Sequence, residues 1–187
     1  MRVIARGRSA LIREFSSDDI EPLQEAINHK EVAGTTCRIP HPYTLEHAEE
    51  FITRSMEQYD IAEAEELDYA IEKDGNLVGG IGIRDIKGGK AELGYWLTPK
   101  QWGKGITTAA VASFMDHLFK QVKLHQVEAL VLPENIASIR VLEKNRFACS
   151  GTREHCCRLS DGQAVQVRLY VRDRLVKDEK QKRPIAR

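Results

Sequence analysis

The chain has 187 residues, of which 42% are hydrophobic and 30% charged, and its 28 basic and 28 acidic residues cancel. That length suits one domain with a full core, and the balance excludes disordered and collagen-like classes. No run of about 18 apolar residues exists, so no segment reads as a membrane span. The basic start Met1-Arg2-Val3-Ile4-Ala5-Arg6 lacks the apolar stretch of a secretory signal. Cys37, Cys149, Cys156 and Cys157 show no CxxC spacing and no paired histidine motif. Neither a zinc site nor a redox pair is indicated, and all four read as free thiols of a reducing cytoplasm.

In chain order, residues 9–15 read as a strand. Ser16-Ser17-Asp18-Asp19 supplies cap residues for a helix over 20–30, with Pro22 tolerated in its first turn. A loop follows through Pro40-His41-Pro42-Tyr43, and Thr44 caps a second helix with Leu45, Ala48, Ile52 and Tyr59 along one face. Strands over 67–72, 77–86 and 91–97 are separated by Asp74-Gly75-Asn76 and Lys87-Gly88-Gly89-Lys90. Those are hairpin signals, so the middle of the chain reads as an antiparallel meander. A long helix over 102–121 buries Val111, Phe114, Met115, Leu118 and Val122 at helical spacing. A strand over 126–132, a helix from Asn135 to Lys144, and strands over 147–156 and 163–171 around Ser160-Asp161-Gly162 complete the order. Beyond Asp173 a polar tail is expected to fray, leaving a core of about residues 8–173 within a single domain. The elements imply one mixed sheet with helices on both faces.

Charge is unevenly spread. From Glu46 to Asp74 eleven acidic residues face two basic ones, and from Arg168 to Arg187 eight basic residues face three acidic ones. Two readings are open for the acidic stretch: a solvated helix face, or a region that draws a cationic substrate. The basic tail lacks interleaved aromatics, and neither a direct nucleic-acid partner nor a membrane is expected.

The most informative stretch is Glu92-Leu93-Gly94-Tyr95-Trp96-Leu97-Thr98-Pro99-Lys100-Gln101-Trp102-Gly103-Lys104-Gly105-Ile106-Thr107-Thr108. A strand runs into a glycine turn where a helix begins, and a helix start with bare amides suits a pyrophosphate. The spacing fits neither GxxxxGK[ST] nor GxGxxG, which counts against triphosphate and dinucleotide ligands.

Together with Asn135-Ile136-Ala137-Ser138-Ile139-Arg140-Val141-Leu142-Glu143-Lys144-Asn145-Arg146-Phe147, that stretch resembles the GNAT superfamily of acetyl-CoA-dependent N-acetyltransferases, and within it the RimJ/RimL-type ribosomal-protein enzymes. The resemblance implies an α/β domain whose mixed, mostly antiparallel twisted sheet is splayed between its fourth and fifth strands, the 91–97 and 126–132 segments. At the three defined positions of the family's [QR]xxGx[GA] pattern stand Trp102, Gly105 and Thr107, so only the central glycine matches strictly. The resemblance implies that amides of Gly103, Lys104, Gly105, Ile106 and Thr107 cradle the pyrophosphate, with Lys104 either adding charge or merely solvated. Tyr95, Trp96 and Leu97 would offer their backbone to the pantetheine arm, and their side chains have ordinary packing as a second reading. Asn135 would sit beside the pantetheine and is also a good N-cap. Ser138 would stabilise or protonate the departing thiolate, since Leu142 stands where some relatives carry a tyrosine. Arg146 replaces a usual glycine, which leaves it strained or passes the turn to Asn145.

An amine attacks only as its neutral form, and a carboxylate can take the proton. Glu92 is the candidate general base, its alternative being a strand carboxylate paired with an arginine. The resemblance thus implies transfer from acetyl-CoA, with no metal, to a primary amine by direct attack, most simply a protein N-terminus. A polyamine or aminoglycoside acceptor and a non-catalytic coenzyme A sensor are the alternatives. The final strands would offer edges for homodimer pairing.

Overall fold

The computed structural model describes residues 2–7, 9–36, 38–61, 63–156 and 164–174. The first strand is one that periodicity does not mark: β1 (Val3–Arg6) pairs antiparallel with β2 (Leu11–Arg13), the part of the expected 9–15 strand that enters the sheet. A capping box at Ser16 turns the chain through Ser17–Asp19 into α1 (Ile20–Ile27). The expected 20–30 helix is broken at Asn28, and α2 (Lys30–Thr35) occupies sequence that reads as loop. Thr44 does cap α3 (Leu45–Gln58): its hydroxyl accepts from the His47 amide at 3.3 Å, while His47 Nδ1 accepts from the Thr44 amide at 3.1 Å. Histidine here fills the place that glutamate takes in the usual reciprocal cap.

The meander follows as expected. Asp74 and Gly75 (φ 52° and 78°) join β3 (Leu67–Lys73) to β4 (Asn76–Lys87), and Gly88 and Gly89 (φ 56° and 73°) join β4 to β5 (Lys90–Leu97). Two successive positive φ values match the right-handed twist of the flanking strands. After β5, a single short turn over Pro99–Gln101 precedes the glycines, and α4 (Ile106–His117) starts later than residue 102 because Gly103 and Gly105 take φ 73° and 74°. A π-helical turn, Leu118–Val122, replaces the last α-helical turn, and Lys123 at φ 62° ends it. Then come β6 (Gln126–Val131), α5 (Ile136–Lys144), β7 (Ala148–Cys156) and β8 (Ala164–Asp173).

The eight strands form one sheet in the order β1-β2-β3-β4-β5-β6-β8-β7, antiparallel throughout except for β5 and β6. The parallel pair touches only at Lys90, Ala91 and Glu92 against Gln126, Val127 and Glu128. Beyond Glu92 the strands part. With β1 counted, this splay lies between the fifth and sixth strands rather than the fourth and fifth. Of the two closing strands only β7 is an edge, because β8 lies inside between β6 and β7.

Apolar side chains cover both faces. Leu93, Leu97, Ile106, Phe114, Met115, Leu142 and Phe147 close the core beneath α4 and α5, while Phe15, Leu23, Ile52, Ala70 and Leu77 seat α1 and α3 on the other face. Each fully buried Leu, Ile, Phe or Met among them contributes roughly 1.5–3 kcal/mol. The expected Ser160-Asp161-Gly162 turn, Cys37, Cys157 and the tail from residue 175 lie outside the described residues. Among the described residues Cys149 is a free, exposed thiol, no helix is long and apolar enough to cross a membrane, and no cluster could hold a metal ion.

Candidate active site

The splay opens one end of a cavity of about 1090 Å³ that runs from the start of α4, across β5, to the helices on the opposite face. Its first part is the glycine turn. The Trp102 indole N–H donates to the Leu97 carbonyl at 2.7 Å, which ties the turn to the strand end. Ala109 makes the first helical bond, to the Gly105 carbonyl at 3.1 Å, and no described residue accepts from the amides of residues 103–108. Glycine at 103 and 105 adopts the left-handed conformation without a Cβ penalty, so these donors stay bare at the positive end of α4. That arrangement fits a pyrophosphate. Lys104 turns away from it: its ammonium donates to the Lys100 carbonyl at 2.8 Å and to Gln101 Oε1 at 3.1 Å, and it does not line the cavity.

The second part is the wedge itself. From Leu93 onward the β6-facing edge of β5 has no strand partner, so the backbone of Tyr95 and Trp96 can accept an extended ligand as an added strand. Tyr95 and Trp96 point to opposite faces. The Trp96 indole lies over Gly80, where a Cβ would come within 2.5 Å of Nε1. The Tyr95 hydroxyl crosses to α5 and shares a hydrogen bond of 2.8 Å with Ser138 Oγ. Burial pushes the Tyr95 phenol well above its ordinary value, outweighing its bond to Ser138, so it is a neutral hydroxyl.

Asn135 caps α5, accepting from the Ser138 amide at 3.0 Å, and also donates to the Thr35 carbonyl at 3.2 Å, which joins α2 to α5 at the cavity mouth. Asn145, 5% exposed, donates to the Thr108 and Val141 carbonyls at 3.2 and 2.9 Å and locks the end of α5 to the start of α4. Arg146 takes the positive φ of 63°, while Asn145 stays at negative φ. The turn therefore does not pass to Asn145.

On the face away from α4, Glu92 lines the cavity beside Arg84, with Oε1 3.8 Å from the guanidinium Nε. The arginine pairing expected as the alternative for Glu92 is thus present, and the contact is loose enough to leave the carboxylate open to the cavity. The cavity gathers Glu92, Tyr95, Trp96, Leu97, Trp102, Gly103, Gly105, Ile106, Thr107, Asn135 and Ser138, which is every predicted site residue but Lys104. Of the acidic 46–74 stretch only Glu50, Glu66 and Asp68 reach it. Sequence reasoning missed Asp68 and the Tyr95 hydroxyl. Neither carries a local signal, because strand register and the crossing of α5 place them.

A sheet splayed beside a helix start with bare amides, with a hydroxyl and a carboxylate lining the cavity, fits a long phosphate-bearing co-substrate. The sequence profile of the acetyltransferase (GNAT) domain matches residues 10–148, and the chain belongs to that family. It is an acetyl-CoA-dependent N-acetyltransferase. It is similar to the Probable N-acetyltransferase YjcK of Bacillus subtilis (strain 168), 36% identical over 152 residues that cover 78% of this chain and 84% of the relative. In fold it matches RimL, ribosomal L7/L12 alpha-N-protein acetyltransferase in complex with coenzyme A, at 18% identity and a TM-score of 0.82, covering 92% of this chain and 98% of that one. Mycobacterium smegmatis RimJ in complex with CoA-disulfide matches at 22% identity and a TM-score of 0.79, covering 92% and 90%.

Proposed function

We propose that the protein moves the acetyl group of acetyl-CoA to a protein N-terminal α-amine of the ribosomal-protein type, by direct attack. The observation that carries this reading is the run of bare amides over residues 103–108 opening into the same cavity as Glu92 and Ser138. The names of the RimL and RimJ neighbours support the acceptor class. A cleft entered between α2, α3 and the open sheet edge has room for a peptide end.

The co-substrate supplies an acetyl group activated as a thioester. Amides of Gly103, Gly105, Ile106 and Thr107 hold its pyrophosphate, and the backbone of Tyr95, Trp96 and Leu97 aligns its arm. The incoming amine arrives as an ammonium. Glu92 takes one of its protons, directly or through a water, so that nitrogen gains a lone pair. A backbone N–H of the open β5 edge stabilises the charge that develops on the carbonyl oxygen. The C–N bond forms as the C–S bond breaks. When the Tyr95 hydroxyl donates to Ser138 Oγ, the serine O–H is free to donate a hydrogen bond that stabilises the departing thiolate, which takes its proton from solvent as the second amine proton leaves to solvent.

Calorimetric titration with acetyl-CoA, with ATP and NAD as controls, tests the first half. Acetylation assays with short N-terminal peptides and with spermidine test the second. Selective acetyl-CoA binding with turnover that requires residues beyond the first amine is the expected result. Equal turnover of spermidine would move the acceptor to small polyamines, and absence of turnover with intact binding would leave a sensor.

A further inference from the structure

On the face of the sheet away from α4, Gly82 of β4 stands in register with Asp68 of β3 on one side and Gly94 of β5 on the other. The row leads from β3 to the open edge of β5. Neighbouring side chains lie across the two glycines. The Asp68 carboxylate covers Gly82, where a Cβ would stand 2.1 Å from Oδ1, and the Arg84 guanidinium covers Gly94, where a Cβ would stand 2.6 Å from a terminal nitrogen. Glycine at these positions therefore makes room for a carboxylate and a cation laid side by side on the sheet.

Ion pairing leaves Asp68 apart from its neighbours. Arg54 holds Glu66 at 2.9 Å and Arg84 lies 3.8 Å from Glu92, whereas no described residue forms a hydrogen bond or ion pair with the Asp68 carboxylate. The Tyr59 hydroxyl donates to the Asp68 backbone carbonyl instead. Among the described residues no fully buried side-chain oxygen or nitrogen lacks a partner, so the Asp68 oxygens are reachable from the cavity they line.

We propose that Asp68 seats the acceptor's amine: its carboxylate accepts the N–H groups of the incoming amine over Gly82 and holds them one strand from Gly94, on the line into the gap between β5 and β6. The inference rests on the transferase reading above and deepens it. Asp68 binds the charged ammonium. Arg84, over Gly94, puts a positive charge beside the position of attack, which disfavours an ammonium there and promotes loss of the proton to Glu92. The charged and titratable groups that interact with Asp68 are Arg84 of β4, Glu66 ahead of β3, Arg54 of α3, Arg38 of the preceding loop and the phenols of Tyr43, Tyr59 and Tyr69, while His47 and Glu50 of α3 line the same cavity. Burial, the largest effect, pushes the Asp68 carboxyl up to about 6.

The test is steady-state kinetics of the wild type and Asp68→Asn, with acetyl-CoA against a short alanine-initiated peptide and against spermidine, from mildly acidic to mildly basic pH. Loss of a charged hydrogen bond raises the acceptor KM about tenfold or more, with the acetyl-CoA KM unchanged and kcat nearly so. In the wild type the acceptor KM climbs as pH falls through about 6, and in the variant that climb is gone. A variant that binds acetyl-CoA normally and keeps the wild-type acceptor KM and pH profile overturns the assignment. A wild-type acceptor KM that does not change through that range overturns it too, whether or not the variant folds. If the wild type acetylates neither amine, the transferase mechanism falls first and this inference with it.

Discussion

At the scale of single residues, chemistry turns on groups that other residues hold still. Ser138 Oγ is fixed from two sides, by Tyr95 at 2.8 Å and by the Asn135 cap at its own amide. Ser138→Ala leaves the cap, which uses the backbone, and removes only the hydroxyl. We expect kcat to fall about 10²-fold with the acetyl-CoA KM little changed, and steady-state kinetics that show an unchanged kcat would reduce Ser138 to a structural role. Glu92→Gln should lower kcat/KM by about 10²-fold at neutral pH, with recovery as rising pH deprotonates the amine without help. A loss that is constant across pH would remove Glu92 as the base. Asp19 shows the stabilising use of the same chemistry. Arg13 grips it with two hydrogen bonds of 2.7 and 2.8 Å and also reaches Glu72. Burial drives the Asp19 carboxyl up, but the bonds and charge of Arg13 with those of Ser16 outweigh it and hold the carboxyl below its ordinary value. A lowered folded value means the stabilisation is complete above the ordinary carboxylate range and is lost as pH falls through the folded value. Breaking such a buried pair by Asp19→Asn should cost about 3 kcal/mol in urea unfolding at neutral pH, and the variant should lose that acid limb of stability.

Among the elements, helix ends decide more than helix interiors. The start of α4 carries the proposed pyrophosphate site because two glycines at positive φ leave its first amides bare. The end of α5 is structural. Arg146 N–H donates to the Glu143 carbonyl at 3.0 Å and Phe147 N–H to the Leu142 carbonyl at 3.1 Å, the pattern in which glycine normally takes the left-handed position. Arg146 holds φ 63° there, with a long exposed side chain and the positive Arg172 as an electrostatic neighbour. Arg146→Gly should therefore stabilise the protein by about 1 kcal/mol, measured by chemical denaturation, with kinetics unaffected. A loss of stability instead would mean that the arginine side chain makes up for its backbone strain.

At the scale of the whole molecule, the candidate active site is the place where one sheet fails to close. Antiparallel pairing continues on both flanks, and the parallel contact from Lys90 to Glu92 is the apex of the wedge. A co-substrate lying in that wedge bridges β5, α4 and α5, so it binds the folded state alone. At a concentration about 100 times its dissociation constant, acetyl-CoA should add about 2.7 kcal/mol of stability, seen as a raised melting temperature that ATP does not reproduce. No shift with acetyl-CoA would place its binding outside the wedge.

Hairpins, caps and the glycine turn were legible in the sequence because their signals are local. Asp74-Gly75 and Gly88-Gly89 favour positive φ, Thr44 needs only its own helix start, and Gly103 and Gly105 mark a turn, although their positive φ moves the helix start from the expected residue 102 to Ile106. Helix faces were legible for the same reason, since the spacing of Val111, Phe114, Met115 and Leu118 is a property of one helix. Short edge segments were not: β1 is a four-residue strand with half its residues exposed, and α2 is a six-residue helix with one buried side chain, too little of either to show a period. Nor could spacing reveal Asp68 over Gly82, Tyr95 against Ser138 or Asn145 between α4 and α5, because each joins residues far apart in the chain through strand register or helix crossing. The sequence by itself determined the local geometry of the glycine turn proposed to hold a phosphate, while only the tertiary structure decided which carboxylate, hydroxyl and cation share its cavity. Backbone conformation is set by neighbours within a few residues, whereas the meeting of side chains depends on how whole strands and helices pack.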